Sequence, residues 1–176
     1  MKHHTRAAVS VIFRIVLACA PLLIVGSLWG QPGPGDSKSA QKFSASSIQI
    51  ERMDPGDVPM PPEFRVAIYE HLITEIGKTG KFQHVYRSGD KDAASAPDLV
   101  TLRTTAQSFR KGSQKQREVT TVSGSSSIIL KVNITDHAGK TLVDRNVEGK
   151  VRFFGENLRA TYDFSKKVAA IVQDSF

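Results

Sequence analysis

Residues 128–139 read IILKVNITDHAG, and this stretch decides the fold. From Ile128 to Ile134 every second residue is aliphatic, and Ile129, Lys131 and Asn133 stand between them. This period-two alternation predicts a strand that turns one face to a core and the other to water. The polar run that follows ends in Gly139, which suits the left-handed backbone of a tight hairpin turn.

A second extended stretch begins at Thr141 and completes the hairpin. It places four apolar residues on one side, Val143, Val147, Val151 and Phe153. Upstream, Gly124 with Ser125 to Ser127 predicts a bulge or a close backbone approach inside the first long strand, because glycine within a strand weakens the regular ladder and often marks one of these two features.

The first helix is predicted to open at Pro61-Pro62-Glu63, because proline and an acidic residue are both favourable in a first turn. Gly77 and Gly80 end it. A closing helix follows Asn157, a predicted N-cap, and runs nearly to Phe176. Both helices carry an apolar stripe at helical spacing, formed by Phe64, Ala67, Ile68, Leu72 and Ile76 in the first and by Phe164, Val168, Ile171 and Val172 in the second.

Three further strands are predicted at Ser47–Arg52, Phe82–Arg87 and Leu99–Phe109. The element order is therefore β-α-β-β-β-β-α. This order predicts an α+β domain, a mainly antiparallel five-stranded sheet with two helices packed on one face.

The N-terminus has the layout of an export signal. Lys2, Arg6 and Arg14 form a basic region, and an apolar run from Ile15 to Ser27 follows. We expect a signal peptide at residues 1–30, a flexible linker at 31–46 and a single domain at 47–176. An uncleaved anchor over Ala7–Trp29 is the alternative. Either arrangement predicts export to the periplasm or cell envelope.

The only cysteine, Cys19, lies inside the apolar run. Val16-Leu17-Ala18-Cys19 loosely resembles a lipobox, so lipid anchoring at Cys19 is a further alternative. The residues after Cys19 stay hydrophobic, whereas a lipoprotein normally turns polar there. Cleavage downstream of Cys19 would leave a mature chain without a thiol, and hence without a disulfide or a cysteine nucleophile.

The overall net charge of +7 overstates how basic the working domain is. The first thirty residues hold three basic residues and no acidic one, so the remainder carries 21 basic against 17 acidic residues, a net charge of +4. This balance gives weak support to polyanion binding. Nucleic acid is not expected as a partner, because the chain is predicted to be exported and no aromatic residues alternate with the basic ones to stack on bases.

One segment has an electrostatic argument for binding. A basic turn before the hairpin carries four positive side chains, Arg110, Lys111, Lys115 and Arg117. They are candidate ligands for an anionic envelope surface, lipid phosphate or polysaccharide.

Other chemical motifs are incomplete. His71 and Glu75 are one helical turn apart, a metal-ligand spacing, but the sequence pairs neither His84 nor His137 with a second short-range ligand. Ser88-Gly89-Asp90 and Ser123-Gly124-Ser125 lack the Gly-x-Ser-x-Gly frame of a hydrolase nucleophile. Gly77-Lys78-Thr79-Gly80 ends a helix, so it cannot cradle phosphate as a P-loop does. We expect no catalytic residue, metal, cofactor or small-molecule substrate.

Several turn and boundary motifs resemble one bacterial family. These are Thr79-Gly80-Lys81-Phe82, Pro97-Asp98-Leu99-Val100, Asp136 with Gly139-Lys140, and Gly155-Glu156-Asn157-Leu158. They resemble the exported domain of unknown function 4410 family over residues 47–176. The resemblance implies a bacterial envelope protein, often a lipoprotein, with no established activity.

The sequence thus predicts a non-enzymatic periplasmic or cell-envelope protein that acts through protein–protein contacts. Its sheet surface or sheet edges would recognise an unidentified envelope partner. The alternative function is a binder of anionic envelope surface through residues 110–117, and a hydrolase is a third and less supported class.

Overall fold

The computed structural model describes residues 42–119, 124–151 and 157–176. The signal or anchor, Cys19, most of the linker, Ser123 and Phe153 lie outside these ranges, so the expectations about them stay predictions. No helix among the described residues is both long and apolar enough to span a membrane.

The five strands are β1 (Ser47–Ile50), β2 (His84–Arg87), β3 (Leu99–Arg110), β4 (Ser126–Asp136) and β5 (Thr141–Val151). Two long helices are α1 (Pro62–Lys78) and α3 (Arg159–Ser175), and a short helix α2 spans Gln114–Val119. A 3-10 turn at Asp92–Ser95 precedes β3. The α+β class and the predicted order are confirmed. The predicted basic turn differs in containing α2, a single short helix that the polar composition did not reveal.

The strands form one sheet in the order β2-β1-β3-β4-β5. The long strands β3, β4 and β5 pair antiparallel, and they make up most of the sheet. The short strand β1 lies between β2 and β3 and runs parallel to both. A parallel pair needs a crossover connection, and α1 supplies it between β1 and β2.

The deciding stretch folds as predicted. Ile128, Leu130, Val132 and Ile134 are fully buried on one face of β4, and Lys131 points to the other. At the hairpin, the Gly139 N–H donates to the Asp136 carbonyl oxygen at 3.0 Å, and Gly139 has φ = 81°.

The helices α1 and α3 pack against each other and against this apolar face. The predicted stripes are buried, except that Ala67 and Ile171 are only partly covered. The opposite face of the sheet is polar, as Lys131 illustrates with its 3.1 Å ion pair to Asp144 on β5.

Two local predictions, at Gly124 and Asn157, need correction. Gly124 precedes β4 with φ = 86°, and the irregularity of the β3–β4 ladder lies instead between Ala106 and Ser108, so the bulge was misplaced. The alternative, a close backbone approach, does occur at Gly124, since a Cβ on Gly112 would collide with the Gly124 carbonyl oxygen. The expected cap Asn157 does not cap α3. Its side-chain oxygen accepts a 2.7 Å hydrogen bond from the Ser126 hydroxyl, and the N-cap position is Leu158.

Candidate functional site

The predicted basic segment is only partly assembled. Arg110 ends β3 and Lys111 follows it, and both line a shallow polar depression of about 400 Å³. The Arg110 guanidinium donates to the Ser125 hydroxyl at 2.9 Å. Lys115 is exposed on α2 and is not part of that lining, and the side chain of Arg117 lies outside the described residues. Anion binding at residues 110–117 stays a prediction.

His71 and Glu75, the pair with metal-ligand spacing, each contact a different residue. His71 Nδ1 lies 2.9 Å from the Thr161 hydroxyl, and that hydroxyl donates its proton to the Leu158 carbonyl oxygen at 2.6 Å. His71 Nδ1 must therefore be the donor in the contact with Thr161. Glu75 takes a 2.6 Å hydrogen bond from Lys78, which raises the pKa of Lys78.

No metal-binding group of three or more histidine, cysteine or acidic residues occurs within residues 42–119, 124–151 and 157–176. Of the two other histidines considered, His84 stacks on Tyr86 at 5.8 Å and His137 is exposed in the hairpin turn. The Ser88 hydroxyl donates to Glu51 Oε2 at 2.6 Å, which occupies it in a loop contact.

A groove that the sequence did not suggest lies beside the first half of α1. Its volume is about 410 Å³, within the range of small ligand sites. The chain after β1 forms one side, α1 another, and the end of β2 a third. The lining residues are Arg52, Met53, Pro62, Arg65, Val66, Tyr69, Glu70 and Arg87.

At one end of the groove an ion pair joins β2 to α1. Arg87 Nη1 and Nη2 donate to Glu70 Oε1 and Oε2, both at 2.7 Å, which is the bidentate geometry of a strong charged pair. The Arg87 guanidinium also lies 5.7 Å from the centre of the Tyr69 ring. The hydrogen bonds from Arg87 lower the pKa of Glu70, and those to Glu70 raise the pKa of Arg87.

The difference in stability between a Glu70→Gln variant and the wild type should depend on pH. The pKa of Glu70 is lowered in the folded protein, so the pair stabilises it above the carboxyl's ordinary value of 4.5, and the contribution is lost as the pH falls through the folded-state pKa. We expect the variant to be slightly less stable than the wild type at pH 7 and equal to it well below pH 4.5. Urea unfolding from pH 7 to pH 3 measures the difference.

Arg87→Gln supplies the control for this prediction. In that background, Glu70→Gln should change stability by the same amount at every pH, because the partner is gone. A gap between Glu70→Gln and wild type that stayed constant down to pH 3 would contradict the assignment of the pair.

The other two arginines of the groove are Arg52 and Arg65. Among the described residues, no acidic side chain lies within ion-pair distance of Arg52 or Arg65. The Arg65 Nε atom is also shielded from solvent and makes no hydrogen bond there. Beside them, Val66 is 61% exposed, which is high for an aliphatic side chain on a packed helix. Within the described part of the chain, the groove therefore joins positive charge that has no acidic partner to exposed apolar surface.

Sequence inspection missed this groove because its residues come from three separated segments. The arginines stand 13 and 22 positions apart, at 52, 65 and 87, and no local motif connects them. The one available signal was on α1, where Arg65 and Tyr69 are four residues apart and hence share a face.

A second surface is the outer edge of β5. The Lys150 N–H points away from β4 and donates to Asp163 Oδ2 of α3 at 2.9 Å. Lys167 Nζ donates to the Glu148 carbonyl oxygen at 2.8 Å, and it also pairs with Asp163 at 2.8 Å. These contacts cap the unpaired backbone of the second half of β5.

The first half of β5, Thr141–Asn146, is here called the open half. The backbone N–H groups that point away from β4 belong to every second residue of β5. The N–H groups of Asp144 and Asn146 therefore point outward, as those of Glu148 and Lys150 do. Within the described ranges, no hydrogen bond reaches the outward amides of Asp144 and Asn146. An open edge of this kind can pair with a strand of another chain.

Solved structures of the bacterial protein PelC share this fold. PelC from Paraburkholderia phytofirmans, crystallised as a dodecamer, superposes with a TM-score of 0.57 at 8% identity, over 77% of this chain and 92% of that one. A variant of the same protein in another crystal form gives a TM-score of 0.54 at 10% identity, with the same coverage. Protein XCC0632 from Xanthomonas campestris, of the domain family DUF330, gives 0.49 at 10% identity, over 77% and 86% of the two chains.

No protein-family model and no curated protein matches the sequence. At these identities, the likeness to PelC shows a common fold. The chain is thus an α+β domain of the architecture seen in PelC.

Proposed function

We propose that this protein is an exported, non-enzymatic cell-envelope protein that works by binding other proteins through the edge of its sheet. The observation that carries the proposal is the division of β5 into a capped half and an open half. Side chains of α3 close one half of the edge, and the other half presents backbone donors and acceptors to a partner strand. Main-chain pairing of this kind is a common mode of protein recognition.

Export and localisation rest on the N-terminal sequence, with its basic start and apolar run. Membership of the exported domain of unknown function 4410 family belongs to the same proposal and rests on the turn motifs of the domain.

PelC was crystallised as a dodecamer. Self-association through the sheet edge is accordingly one of the contacts that we propose for this chain.

A catalytic role is not part of the proposal. His71 is bonded to Thr161 between α1 and α3, whereas Ser88 is bonded to Glu51 beside β2. Nucleophile and base would have to be in hydrogen-bond reach of each other for acyl transfer. The arrangement favours binding over catalysis.

Asn146→Pro should strongly weaken partner binding without unfolding the domain. The Asn146 amide faces outward, so proline removes a donor offered to the partner and leaves the β4–β5 hydrogen bonds intact. With a photoreactive amino acid at Asp144, we expect Asn146→Pro to reduce the yield of cross-linked complex in cells about tenfold. Asn146→Ala is the matched control, because alanine keeps the amide.

Three outcomes separate the possibilities. Capture by the alanine variant and not by the proline variant supports strand addition, and mass spectrometry of the complex distinguishes a second copy from another protein. Equal capture by both variants would refute pairing at this edge. If capture fails in both and anionic vesicles bind the protein with strong salt dependence, the alternative through residues 110–117 replaces the proposal.

A further inference from the structure

The groove beside α1 carries charge and apolar surface that the proposed edge contact does not use. We propose that it is a second binding site, which takes an extended acidic segment of a partner protein, a carboxylate flanked by apolar side chains. This inference goes beyond the proposed function, because the groove lies on the helical face and the open half of β5 lies on the sheet edge.

The charge in the groove selects for an anion. Glu70 already accepts two hydrogen bonds from Arg87, so the negative charge of Glu70 and the positive charge of Arg87 neutralise each other. Arg52 and Arg65 remain, with no acidic partner within the part of the chain that the structure describes. A guanidinium presents its N–H groups as a planar fork that fits a carboxylate.

Burial strengthens the argument at Arg65. Its Nε atom has lost contact with water and makes no hydrogen bond among the described residues. Leaving a buried donor unpaired costs free energy, particularly on a charged group. An incoming carboxylate at the guanidinium would restore electrostatic stabilisation that Arg65 has given up on folding.

The shape of the surface favours an extended segment. Arg65 lines the groove on one side and, on the other, an adjoining depression of about 520 Å³. The two depressions meet at this side chain. The second is walled by the proline-rich loop before α1, in which Asp57 stands among the apolar residues Pro55, Val58, Pro59, Met60 and Pro61. A chain lying across both would place its carboxylate at Arg65 and apolar neighbours on either side.

The apolar walls argue for apolar neighbours of that carboxylate. Met53, Pro62 and the exposed Val66 lie in the groove together with the ring of Tyr69. Aliphatic side chains gain free energy by leaving water for such a surface. A fully hydrated anion such as phosphate would gain nothing from these walls.

Two capped tripeptides that differ in one charge test the site, acetyl-Leu-Glu-Leu-amide and acetyl-Leu-Gln-Leu-amide. Each is titrated into the isotopically labelled exported protein and followed by NMR at the Val66 amide and the arginine Nε–H groups. We expect the glutamate peptide to bind about tenfold more tightly than the glutamine peptide, because charged hydrogen bonds are stronger than neutral ones. Inorganic phosphate is the third probe.

Variants of the arginines assign the effect to the groove. Arg52→Gln combined with Arg65→Gln should abolish the preference for glutamate. Arg103→Gln, at an exposed arginine on β3, is the matched control and should retain it. Because Arg65 is partly buried, Arg52→Gln alone is also measured, and at this exposed position the preference should fall several-fold with folding unaffected.

Equal affinity for the two peptides would overturn the proposal, and so would a preference that survives the double substitution. Phosphate binding as tightly as the glutamate peptide would also overturn it, since the apolar flanks would then contribute nothing. These results are independent of the edge contact. Loss of peptide binding with normal cross-linking at Asp144 would refute the groove alone, and the reverse would refute the edge alone.

Discussion

Leu130→Ala should lower the free energy of unfolding by about 2–5 kcal/mol. Leu130 is fully buried in the middle of β4, among the core residues that α1 and α3 cover. The substitution loses the transfer free energy of the removed methyl groups and leaves a cavity, because close-packed surroundings relax only in part. Such a loss is a large share of the stability of a typical domain, so less folded protein should accumulate in cells. Urea unfolding measures it.

Lys131→Ala is the matched control, one residue along on the opposite face. Lys131 pairs with Asp144, but both side chains are nearly half exposed, at 46% and 47%. Exposed ion pairs contribute little, so the change should cost less than about 1 kcal/mol. Similar losses for the two variants would mean that both faces of the sheet are covered, contrary to the architecture described.

Gly149→Ala should be of comparable severity, at about 3 kcal/mol or more. A Cβ at Gly149 would collide with the Ala160 carbonyl oxygen of α3 and come within 2.6 Å of Phe164 Cβ. Neither atom can swing away, since one is backbone and the other is the root of a fully buried side chain. The helix would have to move off β5, and the capping contacts of Asp163 and Lys167 would move with it.

Gly77→Ala tests whether the stability lost in Gly149→Ala comes from the close approach of α3 or from replacing any glycine by alanine. Gly77 lies near the end of α1, and a Cβ there meets nothing within 4 Å. Alanine should stabilise the helix by about 0.5–1 kcal/mol, because it has less backbone entropy to lose. Thermal unfolding of both variants decides the matter. Two variants with equal stability would refute the packing of α3 on Gly149.

The main architecture was predictable because it follows from periodicity. Alternation from Ile128 to Ile134 determines which face of β4 is buried, and the helical spacing from Phe64 to Ile76 determines the inner face of α1. These patterns express burial directly. The position of β1 between two parallel neighbours was not predictable, because four residues carry too little pattern to specify their partners.

Local errors arose where tertiary contacts override local preference. Asn157 is a good N-cap by type, but its side-chain oxygen accepts from Ser126, far away in sequence. The two candidate sites also differ in how far the sequence alone reveals them. The basic segment is contiguous and easy to see, whereas Arg52, Arg65 and Arg87 converge only because β1, α1 and β2 pack together.

The placement of β1 also has a consequence for the order of folding. The strands β4 and β5 are joined by a tight turn and can pair locally. The strands β1 and β3 are separated in the sequence by α1 and β2, so their pairing closes a long loop. Contacts distant in sequence form late, because loop closure costs entropy before they contribute stability. In a chain that emerges N-terminus first, β1 therefore has only β2 to pair with until β3 has followed. Until then the apolar face of α1 lacks most of the sheet, and surface exposed in this way during folding is prone to aggregation.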